Sequence, residues 1–124
     1  MPKNLLFAES RQNQEDPALS RTDCPQRILL QGFWQTNGYY TLGWGSGQNG
    51  FYAQHYVQEG GPNCIYRSRT RNHWWINDCS ELGLNGGFEY LPSNYGCPSD
   101  GRKGDWRKGG TDAVLYGLAK PIGE

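Results

Sequence analysis

The chain carries no net charge: twelve Lys and Arg offset twelve Asp and Glu over 124 residues, and only 19% of positions are charged. A general polyanion binder needs a global positive field, so the balance argues against one and no nucleic-acid partner is expected. Branched aliphatics are scarce. Leu, Ile, Val and Phe together supply 21 of 124 residues, with only two valines and four isoleucines. No stretch approaches the roughly 20 apolar residues of a membrane-spanning helix. Met1–Ala8, with Leu5, Leu6 and Phe7, is too short for the core of a signal peptide. The expectation for a secreted protein is that a signal has been removed and Met1 added; the alternative is an intracellular protein, for which the disulfide reading fails.

Catalytic and cofactor motifs are also missing. There is no G-x-S-x-G, no H-E-x-x-H and no phosphate-binding glycine loop. Gly45, Gly47 and Gly50 match G-x-G-x-x-G but lead into a strand pattern, so no helix N-terminus follows to hold an anion. His55 and His73 are the only imidazoles, and neither sits in a nucleophile motif. Glu81 and Glu89 are a possible carboxylate pair whose separation nothing fixes. Asp100 to Gly110 has the Asp spacing of a calcium loop but lacks its interleaved ligands, and its Arg and Lys oppose a dication. It reads as an exposed loop anchored by Trp106. The expectation is a non-enzyme with no cofactor and no metal; a small hydrolase using His55 or His73 is the weakest alternative.

Glycine, rings and cysteine are what the chain has. Eighteen Gly, five Trp, eight Tyr and four Phe replace the missing aliphatics, and low net charge with many aromatics argues against disorder. Asn-Gly, the strongest short hairpin signal, occurs at Asn37-Gly38, Asn49-Gly50 and Asn85-Gly86. Residues 1–23 are polar and lack an apolar period, and read as an N-terminal arm. Residues 24–124 read as a single all-β domain, a small antiparallel sandwich or barrel of six to eight short strands. In this reading Gln31–Thr36 pairs with Tyr39–Trp44, placing Phe33 opposite Leu42. Phe51–Gln58, Cys64–Thr70 and His73–Cys79 follow, with weaker strands at Phe88–Leu91 and Ala113–Leu118.

Cys24, Cys64, Cys79 and Cys97 form an even set in a short, loop-rich chain, which fits two disulfides and an oxidising compartment. The competing readings are reduced structural thiols and a zinc site with His55 or His73, the latter opposed by the absence of any C-x-x-C or H-x-x-x-H pair. If Arg71-Asn72 forms a two-residue turn, Cys64 falls opposite Cys79, within disulfide reach. Cys24–Cys97 would then join the two ends of the fold. That register also sets Arg69 against Trp74 and Arg67 against Ile76, with Arg67, Arg69 and Arg71 on one strand face.

The candidate binding residues are Trp44, Trp74, Trp75, Tyr56 and Arg69. Flat rings bury the apolar faces of sugars at little entropic cost, and Gln48, Asn49, Asn77 and Asp78 are available for hydroxyls. The competing reading places the rings in the core. Adjacent Trp74 and Trp75 point to opposite faces of a strand, so at most one is core if the other face meets solvent.

The order Cys24-Pro25, Asn37-Gly38-Tyr39-Tyr40, Asn49-Gly50-Phe51-Tyr52, Ile65-Tyr66, Trp74-Trp75-Ile76, Gly83, Cys97-Pro98 and Trp106 resembles a small Trp/Tyr/Gly-rich, cysteine-containing β-domain of secreted and receptor-ectodomain proteins of marine invertebrates and protists. The resemblance covers roughly residues 24–109 and departs at Ala113–Leu118, which stands where a second closing Trp would be. It implies an extracellular module and contributes no site residues. The expected function is carbohydrate binding through exposed rings, with a protein-interaction subunit of a larger assembly as the alternative. The partner is thus a glycan or a protein surface.

Overall fold

The computed structural model describes residues 24–46, 52–68, 73–92 and 94–123, with the side chains of 44–46, 52 and 53 left out. Nine antiparallel strands form one curled sheet, a half-barrel. They are β1 (Arg27–Gln31), β2 (Gly38–Ser46), β3 (Tyr52–Gln58), β4 (Asn63–Arg67), β5 (His73–Asp78), β6 (Glu89–Pro92), β7 (Trp106–Lys108), β8 (Val114–Leu115) and β9 (Leu118–Pro121). Strands β1 to β8 meander in sequence order, and β9 returns to pair with β1. The two edge strands, β8 and β9, are therefore joined directly by Tyr116 and Gly117. The all-β expectation holds.

Strand alternation sorts the side chains. One face of the roll buries Ile28, Leu30, Tyr40, Tyr56, Ile65, Trp74, Ile76, Leu91, Trp106 and Ala119 in a continuous core. Four of those ten are rings, so aromatics do fill the space that valine and isoleucine would otherwise take. Buried hydroxyls and indoles need partners. Tyr40 Oη donates to Thr36 O at 2.7 Å, Tyr56 Oη to Pro25 O at 2.6 Å, and Trp74 Nε1 to Tyr95 O at 2.8 Å.

Two segments close the ends of the roll. At one end the 32–37 loop packs Phe33 edge-on against Trp106 with centroids 5.2 Å apart, and Thr36 Oγ1 donates to buried Glu89 at 2.9 Å. At the other, the Cys24–Cys97 disulfide spans 73 residues with a Cα–Cα distance of 5.6 Å. Cys64–Cys79 spans 15 residues at 5.0 Å. Both pairings match the expectation, and no cysteine is free.

The hairpin registers differ. Leu30, not Phe33, meets the start of β2, paired with Gly38, because Asn37 does not make a two-residue turn. Its Oδ1 instead accepts the Phe33 N–H at 2.9 Å, which stabilises a six-residue loop from Gly32 to Asn37. Between β4 and β5, Arg67 pairs with Trp74 and Cys64 with Asn77, two residues away from the expected alignment. Cys79 N–H continues the ladder to Pro62 O at 2.8 Å, and the disulfide crosses diagonally. Arg69, Arg71, Asn49-Gly50 and the 1–23 arm lie outside the described residues. The 100–110 stretch is not simply an exposed loop: it contains β7, and Trp106 is fully buried. Ala113–Leu118 is two strands at opposite edges, broken at Tyr116-Gly117.

Candidate functional site

The expected binding residues do not come together. Tyr56 and Trp74 are fully buried core rings, so neither offers a face to a ligand; scarcity of aliphatics draws them inward. Trp75 points to the opposite face from Trp74 and is half-buried there. A second cluster of Cys64, Tyr66 and Leu82 packs against Trp75 and Cys79 there. The sheet is thus two-sided at β4 and β5, which removes the one-sided premise. Trp75 also sits 5.0 Å from the Tyr90 ring, and His73 stacks on Tyr90 at 4.5 Å. Burial holds the His73 imidazole below its ordinary pKa, with Asp112 opposing. The backbone of Trp44 belongs to β2, but its side chain, like Arg69, lies outside the described residues.

The residues available to a ligand are elsewhere. A cleft of about 370 Å³ opens between the β1–β9 pair and the 101–105 turn, lined by Gln31, Gly32, Lys103, Tyr116, Leu118 and Lys120. Its volume lies in the range of small-ligand sites. Antiparallel pairing of β1 with β9 sets Gln31 against Leu118, and Lys120 follows two residues on, so the three share one face. The opposite wall is the 101–105 turn. Asp105 builds it by accepting from Tyr95 Oη at 2.7 Å and from Arg102 N–H at 2.8 Å. Those bonds, with the charges of Arg102 and Arg107, hold its carboxyl below the usual carboxylate range. Gly104 N–H donates to Leu115 O at 3.0 Å, which ties the turn to β8 and presents Lys103 beside Tyr116.

Glycine at two positions lets the walls meet. A Cβ on Gly117 would lie 2.8 Å from the Phe33 ring and 2.9 Å from Gln31 O. Gly32, at φ +85°, touches Gly117 so closely that a Cβ would stand 3.0 Å from its Cα. The loop that starts at Gly32 thus docks on the Tyr116-Gly117 link. Two residues beyond Gly32, a reach of at most about 7 Å, comes Trp34. It has φ 131°, a region that side chains rarely adopt, and is 79% exposed. Tyr116 is 68% exposed. Among the described residues these are the two most exposed large apolar side chains; Tyr116 lines the cleft, and Trp34 follows the lining residue Gly32.

Sequence reasoning missed both. The sequence pattern puts Trp34 inside Gln31–Thr36 and Tyr116 inside Ala113–Leu118, whereas each interrupts strand structure. The usable signal was glycine beside a ring, in Gly32-Phe33-Trp34 and Tyr116-Gly117.

No lining residue of the cleft is acidic or a histidine. His55 is buried on β3 and Glu89 is buried in the core, where desolvation pushes its carboxyl up. Among the described residues, no group of three or more His, Cys, Asp or Glu is gathered where a metal ion could be held. No helix there is long and apolar enough to cross a membrane. The two disulfides point to an oxidising or extracellular environment. Compared with known proteins, the chain matches no family model, no curated protein and no solved structure. Fold and cleft together define a disulfide-stapled, curled antiparallel sheet with a small polar-aromatic cleft beside its β9 edge.

Proposed function

We propose that the protein is a secreted, non-catalytic carbohydrate-binding module whose site is the cleft between β9 and the 101–105 turn, with Tyr116 and Trp34 as stacking rings. The observation that carries this reading is the exposure of those two rings on segments held against each other beside a polar cleft. Sugar rings stack on flat aromatic faces, and Gln31 offers an amide that can both donate to and accept from hydroxyls. The left-handed backbone at Trp34 supports the reading further. Strain of this kind costs about 1–3 kcal/mol and persists where surrounding structure imposes it, often at ligand sites. The resemblance to secreted and ectodomain β-domains agrees with an extracellular setting.

A titration of tryptophan fluorescence against a panel of oligosaccharides tests the proposal. Binding shifts or quenches the emission, and Trp34→Ala or Tyr116→Ala abolishes it with the melting temperature unchanged. Silence across the panel defeats it.

A protein-contact role is the second reading. Tyr39 and Val57 are exposed on neighbouring strands, where large apolar side chains would suit an interface. Association with a copurifying protein that Val57→Glu disrupts, while Trp34→Ala does not, would favour it.

A further inference from the structure

We infer that the cleft selects sugars bearing sulfate or carboxylate groups, a conclusion that rests on the carbohydrate reading and narrows it. Of its six lining residues, two are lysines and none is acidic. Lys120 comes from β9 and Lys103 from the 101–105 turn, so cations flank the opening on both walls. In a chain of zero net charge, that is a local excess that composition does not produce by itself.

The carboxylate of the turn, Asp105, stays ionised, and it faces the charges of Arg102 and Arg107. Asp105 is bonded to Tyr95 Oη and the Arg102 N–H, and serves to shape the turn. Among the described residues, no ion pair engages Lys103 or Lys120. Each ammonium carries three N–H donors.

The division of labour follows from geometry. Tyr116 and Leu118 provide the apolar floor on which a pyranose face can rest, and Gln31 meets its hydroxyls. A neutral sugar would use those groups and leave two ammonium ions solvated. An acidic sugar uses them all. Charge-assisted bonds from lysine to sulfate or carboxylate are about twice as strong as neutral ones. Because both lysines are exposed, solvent screens much of that gain. The expected preference is roughly tenfold for two lysines at low salt, and less at high salt.

The test is calorimetric titration of the intact, oxidised protein with a sulfated galactan tetrasaccharide and with its chemically desulfated form, at low and high salt. The expected result is roughly tenfold tighter binding of the sulfated sugar at low salt. The double variant Lys103→Gln/Lys120→Gln should bind both sugars with the affinity of wild type for the desulfated one. Trp34→Ala should weaken both alike. Equal affinity of wild type for the two sugars overturns the charge selection and leaves the carbohydrate reading standing. Failure of both sugars to bind overturns both. A sulfate preference that survives in the double variant, with its melting temperature unchanged, places the anion elsewhere and also overturns the inference.

Discussion

Arg67 lies 4.8 Å over the ring of Trp74, directly across the β4–β5 ladder, and both side chains donate to the carbonyl of Tyr95. An arginine in the middle of an aromatic core is held by the ring beneath it and by a segment that closes one end of the roll. Removing it should cost packing, stacking and a bonded partner together. Arg67→Ala is expected to lose about 3 kcal/mol, and Arg67→Lys, which keeps the charge but not the planar fork, about 1–2 kcal/mol. Urea unfolding measures both. A change under about 0.5 kcal/mol in the alanine variant would show that the stacked pair contributes nothing net.

The disulfides close loops of different length, so their removal should be graded. In the chain-entropy picture, Cys64→Ser/Cys79→Ser costs about 3 kcal/mol and Cys24→Ser/Cys97→Ser about 4–5 kcal/mol. A thiol titration in denaturant without reductant should find none free in the wild type. Thiols detected there would remove the basis for an oxidising environment.

Two glutamates should respond to pH in opposite directions. Glu59 accepts from Arg27 at 2.8 and 2.9 Å and from Thr41 at 2.6 Å, and these bonds hold its carboxyl at about 2 instead of the ordinary 4.5. A folded-state pKa below the unfolded one contributes stability above about 4.5 that is lost as pH falls toward about 2. Glu59→Gln should therefore flatten the acid limb of the stability curve. Melting temperatures from pH 7 down to pH 2 read this out, and parallel curves for variant and wild type would contradict it.

Glu89 is the converse case. Burial raises its carboxyl, against the opposing Thr36 hydroxyl and Lys108 charge. Its folded-state pKa lies above the unfolded one, so its favourable contribution is present at low pH and lost as pH rises through the raised value. Glu89→Gln, whose amide oxygen can still accept from Thr36, should be more stable than wild type at pH 7. The difference should shrink in acid. A variant less stable at pH 7 would mean that the charge is held by contacts stronger than its desolvation.

Trp34 offers a separation of stability from binding. Replacing it by glycine relieves the backbone at φ 131°, offset in part by the entropy that glycine adds to the unfolded chain. Trp34→Gly should raise stability by up to about 1 kcal/mol while abolishing the fluorescence response to sugar. A stability loss of more than about 1 kcal/mol would show that the exposed ring is structural.

The sequence revealed the fold class because its evidence was chemical and local: turn glycines, alternating rings and an even set of cysteines. It also paired the cysteines correctly, although the register behind that argument was two residues off. The tolerance is physical, since a disulfide can cross diagonally where a backbone ladder cannot. What stayed hidden were choices made by side chains in loops. Asn37 could turn the chain or bond to Phe33 N–H, and only packing of Phe33 on Trp106 decides between them. That choice takes Trp34 out of a strand and leaves its ring exposed. Trp75 was ambiguous for a related reason: nothing local announces that Leu82 and a disulfide pack on the second face.

The pairing of β9 with β1 also sets an order of events in time. Leu118 to Pro121 must find partners some 90 positions earlier, at Ile28 to Gln31, and the Cys24–Cys97 bond is nearly as distant. Contacts of such long range make folding slow, on the order of milliseconds to seconds for β-proteins. The β1 edge stays open during synthesis until its last partner has emerged. A ribosome-bound nascent chain ending before Leu118 would then expose an unpaired strand of Ile and Leu, a template for misassociation that Leu118–Pro121 covers once paired.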